Sequence, residues 1–197
     1  MTHGTNLPQL ALLTVRDPAS AAAVVLGWKL PKEAIWTAVA LVSVIITMLS
    51  TLSNVIFPVP APLNAFVGNP FIYFGVAFGG FVATVYAIFW VGRMLGGQGT
   101  IEDLMVLLLW LQAIRAAAQI AILLFLIIAP VMASFLVLFV AVATLWIFVQ
   151  FINVGLQLNS FLRAVAVLVI GVVVLIAGVS FLLSLIGFSA LGVPSNV

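Results

Sequence analysis

The chain has 197 residues, of which 66% are hydrophobic and 5% charged. A soluble domain carries about 25% charged residues, so six Lys+Arg and four Asp+Glu cannot coat a globule, and charge-rich disorder is equally excluded. The mean hydropathy of +1.44 points to a polytopic membrane protein, and the net charge of +2 supplies no basic patch for nucleic acid.

The residue inventory removes further chemistry. With no cysteine there is no disulfide, thiolate metal site or iron–sulfur cluster. The single histidine, His3, lies in a polar N-terminal stretch rather than in a pocket. Neither a metal nor another cofactor is expected.

Residues 1–33 form a cytoplasmic N-terminal segment. Met1–Leu10 lacks a cationic region followed by an apolar run, so it is not a secretory signal. Leu7 to Val15 is apolar but too short to span. In Arg16-Asp17-Pro18, Asp17 suits an N-cap and Pro18 the first helical position. Residues 7–30 are expected to form interfacial helices along the cytoplasmic face. Two roles are open for them: packing on the bundle to orient the first span, or binding a partner.

A helix needs roughly 20 apolar residues to cross about 30 Å of hydrocarbon. Five stretches qualify: 34–57, 71–92, 103–128, 131–153 and 161–188. Between the first two, Pro58, Pro60, Pro62, Asn64, Gly68, Asn69 and Pro70 punctuate a loop. Ala129-Pro130 joins the third to the fourth. One unbroken helix from Asp103 to Asn153 would run about 75 Å, so a hairpin is expected. The long, continuous apolar runs favour helices over an alternating strand barrel. The fold class is all-α: a membrane bundle over 34–188, with a short outward tail at 189–197.

Lys and Arg placement sets the expected orientation. Arg16, Lys29 and Lys32 precede span one, Arg93 lies between spans two and three, and Arg163 opens span five. All fall on one side. This predicts a cytoplasmic N-terminus and an outward C-terminus. Trp28, Trp36 and Trp90 mark the cytoplasmic boundary, and Phe57, Phe71 and Tyr73 the other.

The most motif-like stretch is Gly96-Gly97-Gln98-Gly99-Thr100-Ile101-Glu102-Asp103. A glycine-rich loop before a helix could cradle phosphate, but a P-loop needs a lysine and a preceding strand. Glu102 and Asp103 also occupy the helix start where the phosphate would sit. Thr100 with Asp103 instead reads as a near capping box, and the glycines as a tight reversal.

Arg115 lies twelve residues after Asp103, about 18 Å along the helix and near mid-membrane. Such a charge is a functional candidate. Gln112, Arg115 and Gln119 share a helix face. With Gln150 and Asn153, and with Gln157 and Asn159 beyond, they are expected to form a polar recess facing the cytoplasm. An anion or a lipid phosphate suits it. The structural alternative is that Arg115 snorkels or locks the bundle through carbonyls and amides.

Gly75, Gly79, Ala83 and Ala87 form a small-residue stripe on span two, and Ala113, Ala117 and Ala121 another on span three. Both suit close helix packing, expected within the chain, with homodimerisation as the alternative. Gly171 and Gly178 on span five are a weaker sign of the same. No catalytic constellation emerges, because no histidine or lysine stands beside an intramembrane Ser or Thr.

Arg16-Asp17-Pro18, a short helix, Leu30-Pro31, a long span and then Leu95-Gly96-Gly97-Gln98-Gly99-Thr100-Ile101-Glu102 together resemble bacterial members of the YIP family. These are the Ypt/Rab-interacting proteins, which share the Yip-one domain. The resemblance covers about residues 10–190 and implies five spans, an inward N-terminus and an inner (cytoplasmic) membrane location. Eukaryotic relatives are linked to Rab GTPases through cytoplasmic motifs such as Asp-Leu-Tyr-Gly-Pro. This sequence lacks that motif, so a Rab-type partner does not carry over. The expected function is a non-enzymatic scaffold, adaptor or accessory subunit, with lipids and another membrane protein or complex as partners. The alternative is a small transporter or channel subunit using the Arg115 recess for an anionic substrate or lipid.

Overall fold

The computed structural model describes residues 6–60 and 68–186. The middle of the Pro58–Pro70 loop, including Pro62 and Asn64, lies outside the described residues, as do His3, the end of the fifth expected span at 187–188 and the tail at 189–197. Among the described residues are seven helices and no strand: α1 (Leu7–Arg16), α2 (Pro18–Leu26), α3 (Lys32–Ile56), α4 (Pro70–Met94), α5 (Ile101–Ile128), α6 (Pro130–Gly155) and α7 (Phe161–Ile186). Helices α3 to α7 are each long and apolar enough to cross a membrane. The protein is an all-α integral membrane bundle.

Local chemistry explains where the helices begin. The Asp17 carboxylate accepts the Ser20 N–H at 3.1 Å and the Ser20 hydroxyl at 2.5 Å. Asn69 accepts from the N–H groups of Phe71 and Ile72. Pro18, Pro70 and Pro130 each open a helix, where the missing N–H costs nothing. Thr100 and Asp103 make a full capping box: Thr100 Oγ1 accepts from the Asp103 N–H at 3.1 Å, and Asp103 Oδ2 from the Thr100 N–H at 3.4 Å. Ala129, outside helical geometry, separates α5 from α6 and lets them fold back as a hairpin.

The five long helices close a ring in the order α3, α4, α7, α6, α5. The short helices pack on one end of it, against α5 and α6. Leu10, Ala21, Ala22 and Val25 are fully buried there. Residues 7–26 are therefore docked on the bundle rather than merely resting at an interface. Thr14, also buried, donates to the Leu10 carbonyl at 2.8 Å and accepts from Trp110 Nε1 at 2.9 Å. Trp28 meets the Trp110 ring edge-on at 5.6 Å. Lys32 Nζ reaches Glu102 Oε1 at 2.8 Å and ties the starts of α3 and α5.

Burial is uneven along the bundle axis. On α5 every residue from Leu104 to Leu109 is buried, but beyond that only Leu111, Ala116 and Leu123 are. Phe151, Ile152, Leu156, Ala164 and Val167 complete the same packed half. The far half turns large apolar side chains outward, among them Phe71, Ile128 and Val131. Trp28, Trp36 and Trp90 are exposed at the packed end and Phe57 and Phe71 at the far end, as two interfacial belts require.

Candidate functional site

The glycine-rich connection from α4 to α5 is built by close backbone approach. Gly96 alone of its glycines has a left-handed backbone, φ 89°. Gly97 donates to the Gly92 carbonyl at 2.8 Å, and the N–H groups of Gln98 and Gly99 both donate to the Leu156 carbonyl at 2.9 and 3.2 Å. A Cβ at Gly97 would lie 2.9 Å from the Gly92 oxygen, and one at Gly99 would collide with the Gly155 carbonyl. The tight-reversal reading thus fits Gly96 and Gly97, which folds back onto Gly92, whereas Gly99 is small because the α6–α7 turn lies against it. Glu102 contributes its ion pair to Lys32.

Arg115 lines a cavity of about 400 Å³ between α3, α4 and α5. Gln112 and Gln119 line it too, as the shared helix face requires, and Arg115 Nη1 donates to Gln112 Oε1 at 3.1 Å. Ser43 and Tyr73 supply two further polar groups. Sequence reasoning gives neither this place: nothing local on α3 marks Ser43 as facing α5, and Tyr73, expected in the outer aromatic belt, instead lines the cavity.

Two parts of the expected recess are corrected. Gln150 and Asn153 are not among its walls; α6 reaches the cavity at Val140. Gln150 lies ten residues further on, about 15 Å along the helix. Asn153 is engaged elsewhere, its Oδ1 accepting the Ser160 N–H at 3.1 Å and fastening the turn into α7. Gln157 and Asn159 lie in that turn, both with positive φ. The direction also differs. The walls run from Leu109 to Ile122 on α5 and from Tyr73 to Phe81 on α4, while Ile35, Leu104, Leu107 and Leu108 pack the space next to α1 and α2. The cavity therefore occupies the middle of the bundle and extends toward the far half.

The small-residue stripe of α4 does not pack inside the chain as expected. A Cβ at Gly75 or Gly79 would meet nothing within 4 Å, and Ala83 is exposed. Ala83 and Ala87 instead border an open apolar groove of about 830 Å³ between α4 and α7, shared with Trp90 and Gly178. On α5, Ala116 is buried while Ala117 faces outward. Among the described residues, Gly171 alone serves as a close-approach glycine between α7 and α4, 3.3 Å from Ile88 for an added Cβ.

The family model of the Yip1 domain matches residues 12–182. That range takes in α2 to α6 entire, half of α1 and most of α7, so the chain belongs to the Yip1 domain family. Neither the curated proteins nor the solved structures yield a match.

Proposed function

We propose that this Yip1-domain membrane protein is a non-enzymatic scaffold or adaptor, an accessory subunit that engages another integral membrane protein through helix packing. The carrying observation is the uneven bundle. The interior beside α1 and α2 is packed, while along the outer side of α4 the groove toward α7 (Ala83 to Leu95) and the exposed face of Gly75, Gly79 and Ala83 are left uncovered. In lipid there is little hydrophobic drive between helices, so association rests on close backbone approach at small residues. A transmembrane helix of the partner is the occupant this surface suits, with membrane lipids around it. The placement of Arg16, Lys29, Lys32, Arg93 and Arg163 supports a cytoplasmic α1–α2 end, and the proposed setting is a bacterial inner membrane. A Rab-type GTPase is not proposed.

Photocrosslinking in native membranes tests this reading. A crosslinker at Ala83 should give one discrete heterologous adduct, diminished by Gly79→Leu, and one at Val142 on α6 should not. Equal, unspecific labelling at both positions overturns it. An adduct of twice the chain's mass assigns the face to a second copy instead. The cavity at Arg115 favours a second reading, a transporter or channel subunit for an anionic substrate or lipid. That reading requires anion or lipid flux in proteoliposomes, abolished by Arg115→Ala.

A further inference from the structure

The charge on Arg115 is not balanced by any acid of the chain. It stands fourteen residues into the 28-residue α5, about 21 Å along a helix of about 42 Å. A cation at that depth is costly and ordinarily faces a cavity or a partner group. All four acids lie at the end carrying α1 and α2: Asp17 caps α2, Glu33 sits in the first turn of α3, and Glu102 and Asp103 in the first turn of α5. Glu102 is paired with Lys32 and Asp103 with the Thr100 N–H. Among the described residues the one acceptor bonded to Arg115 is Gln112 Oε1. A guanidinium offers five N–H donors in a planar fork, so four remain.

The surroundings of that fork are specific. Gln119 on the next turn of α5, Ser43 on α3 and Tyr73 on α4 line the same cavity and bring donors from three helices. The other walls are aliphatic and aromatic. A water occupies about 30 Å³ in the liquid, so a cavity of about 400 Å³ holds a polar head group of many atoms. Arg115 is exposed in the bare chain, which leaves its fork accessible to a ligand.

We propose that this cavity binds a phosphate-type oxyanion. Arg115 is its charge partner through the guanidinium fork, and Gln119, Tyr73 and Ser43 are hydrogen-bond donors that orient it. Planar, multidentate recognition is the chemistry by which arginine selects phosphate. The anion is carried either by an anionic phospholipid or by free inorganic phosphate. The proposal stands apart from the scaffold reading, since it uses no residue of the α4–α7 groove, and it deepens the second reading by naming the class of ligand that the Arg115 cavity takes.

The test uses the full chain in phosphatidylcholine nanodiscs, with either phosphatidylglycerol or inorganic phosphate added. Native mass spectrometry reads bound lipid, and the shift in unfolding temperature reads both ligands. Arg115→Leu should cut phosphatidylglycerol retention about tenfold or more, the loss expected for a hydrogen-bonded charged contact. Arg115→Lys, which keeps the charge without the fork, should retain an intermediate amount. A response to phosphatidylglycerol alone, lost in Arg115→Leu, supports a lipid head group as the source. A response to inorganic phosphate, lost in the same variant, supports a free anion. Equal retention and equal shifts in wild type and Arg115→Leu overturn the proposal. If Arg115→Leu does not insert, the measurement is made on Gln119→Leu, where unchanged retention and unchanged shifts overturn it. The crosslink at Ala83 is expected to survive in all three variants, so failure of this site and failure of the scaffold reading are told apart.

Discussion

Replacing Gly99 with alanine is the sharpest test of how the packed half is held together. The added Cβ would collide with the Gly155 carbonyl and crowd the Leu156 Cα. Both obstacles are backbone, so no side-chain rotation relieves them. The loop must withdraw, and withdrawal breaks the Gln98 and Gly99 N–H bonds to the Leu156 carbonyl. Two such bonds are worth about 1 kcal/mol each, and residual overpacking adds about 1–3 kcal/mol. The expected loss is about 3–5 kcal/mol. Two other glycines calibrate it. At Gly96 an added Cβ meets nothing within 4 Å, but φ is 89°, which costs about 1–2 kcal/mol for an L-residue. At Gly79 the space is open and the backbone helical, so alanine should stabilise by about 0.5–1 kcal/mol. Reversible unfolding in mixed micelles, followed by circular dichroism, ranks the three. A Gly99→Ala variant within about 0.5 kcal/mol of wild type would refute the close-approach account.

Other expected outcomes follow from single contacts. Trp110→Phe removes the Nε1 donor from buried Thr14 and should destabilise by about 1–2 kcal/mol, seen as faster amide exchange in α1 and α2. The Asp17 carboxyl is held below its ordinary value of 3.8 by hydrogen bonds from the Ser20 side chain and backbone. A depressed folded value means that its stabilisation is complete above the unfolded value and is lost as pH falls through the folded one. Exchange protection of α2 should therefore drop only in strongly acidic buffer, and Asp17→Asn should remove that dependence. Gln157 holds φ 53° in the α6–α7 turn; Gln157→Gly should stabilise by about 0.5–1 kcal/mol in the same unfolding assay. Cysteines placed singly at Asn6 and Ser195 should be labelled from opposite sides of sealed vesicles, because five spans put the termini apart. Labelling from one side refutes that topology.

What could be read in the sequence was what is local. Uninterrupted apolar runs announce spanning helices, and Asp17-Pro18 and the Thr100–Asp103 pair announce two helix starts, because a cap and its target lie within three residues. The lone Arg115 was visible for the same reason: its depth follows from counting along one helix. What was not legible depends on which helix stands beside which. Gly99 and Gly155 are 56 positions apart, and no periodicity on α4 or α5 reveals that the α6–α7 turn settles on the loop. Ser43 looks like any polar residue in a span, and Tyr73 like a belt aromatic, until α3 and α4 are set against α5. The stripe Gly75, Gly79, Ala83 defines a smooth face, but a face does not name its occupant, and the ring closes without using it.

The same geometry explains why Gln150 and Asn153 misled. Both stand near the end of α6 that shares a level with the start of α5, so a reading by depth puts them near the approach to Arg115. Between them and the cavity lies the layer of Leu104, Leu107, Leu108 and Phe151, all buried. That layer requires the charges at the α1–α2 end and the charge at mid-bundle to act separately. The first set is paired or interfacial and fixes how the bundle sits. The second is cut off from every acid of the chain, so its balance has to come from Gln112 and whatever enters the cavity from elsewhere. A chain with ten charged residues thus places nine at one end, where they establish orientation, and leaves Arg115 alone at the depth where an unbalanced cation is hardest to sustain without a ligand.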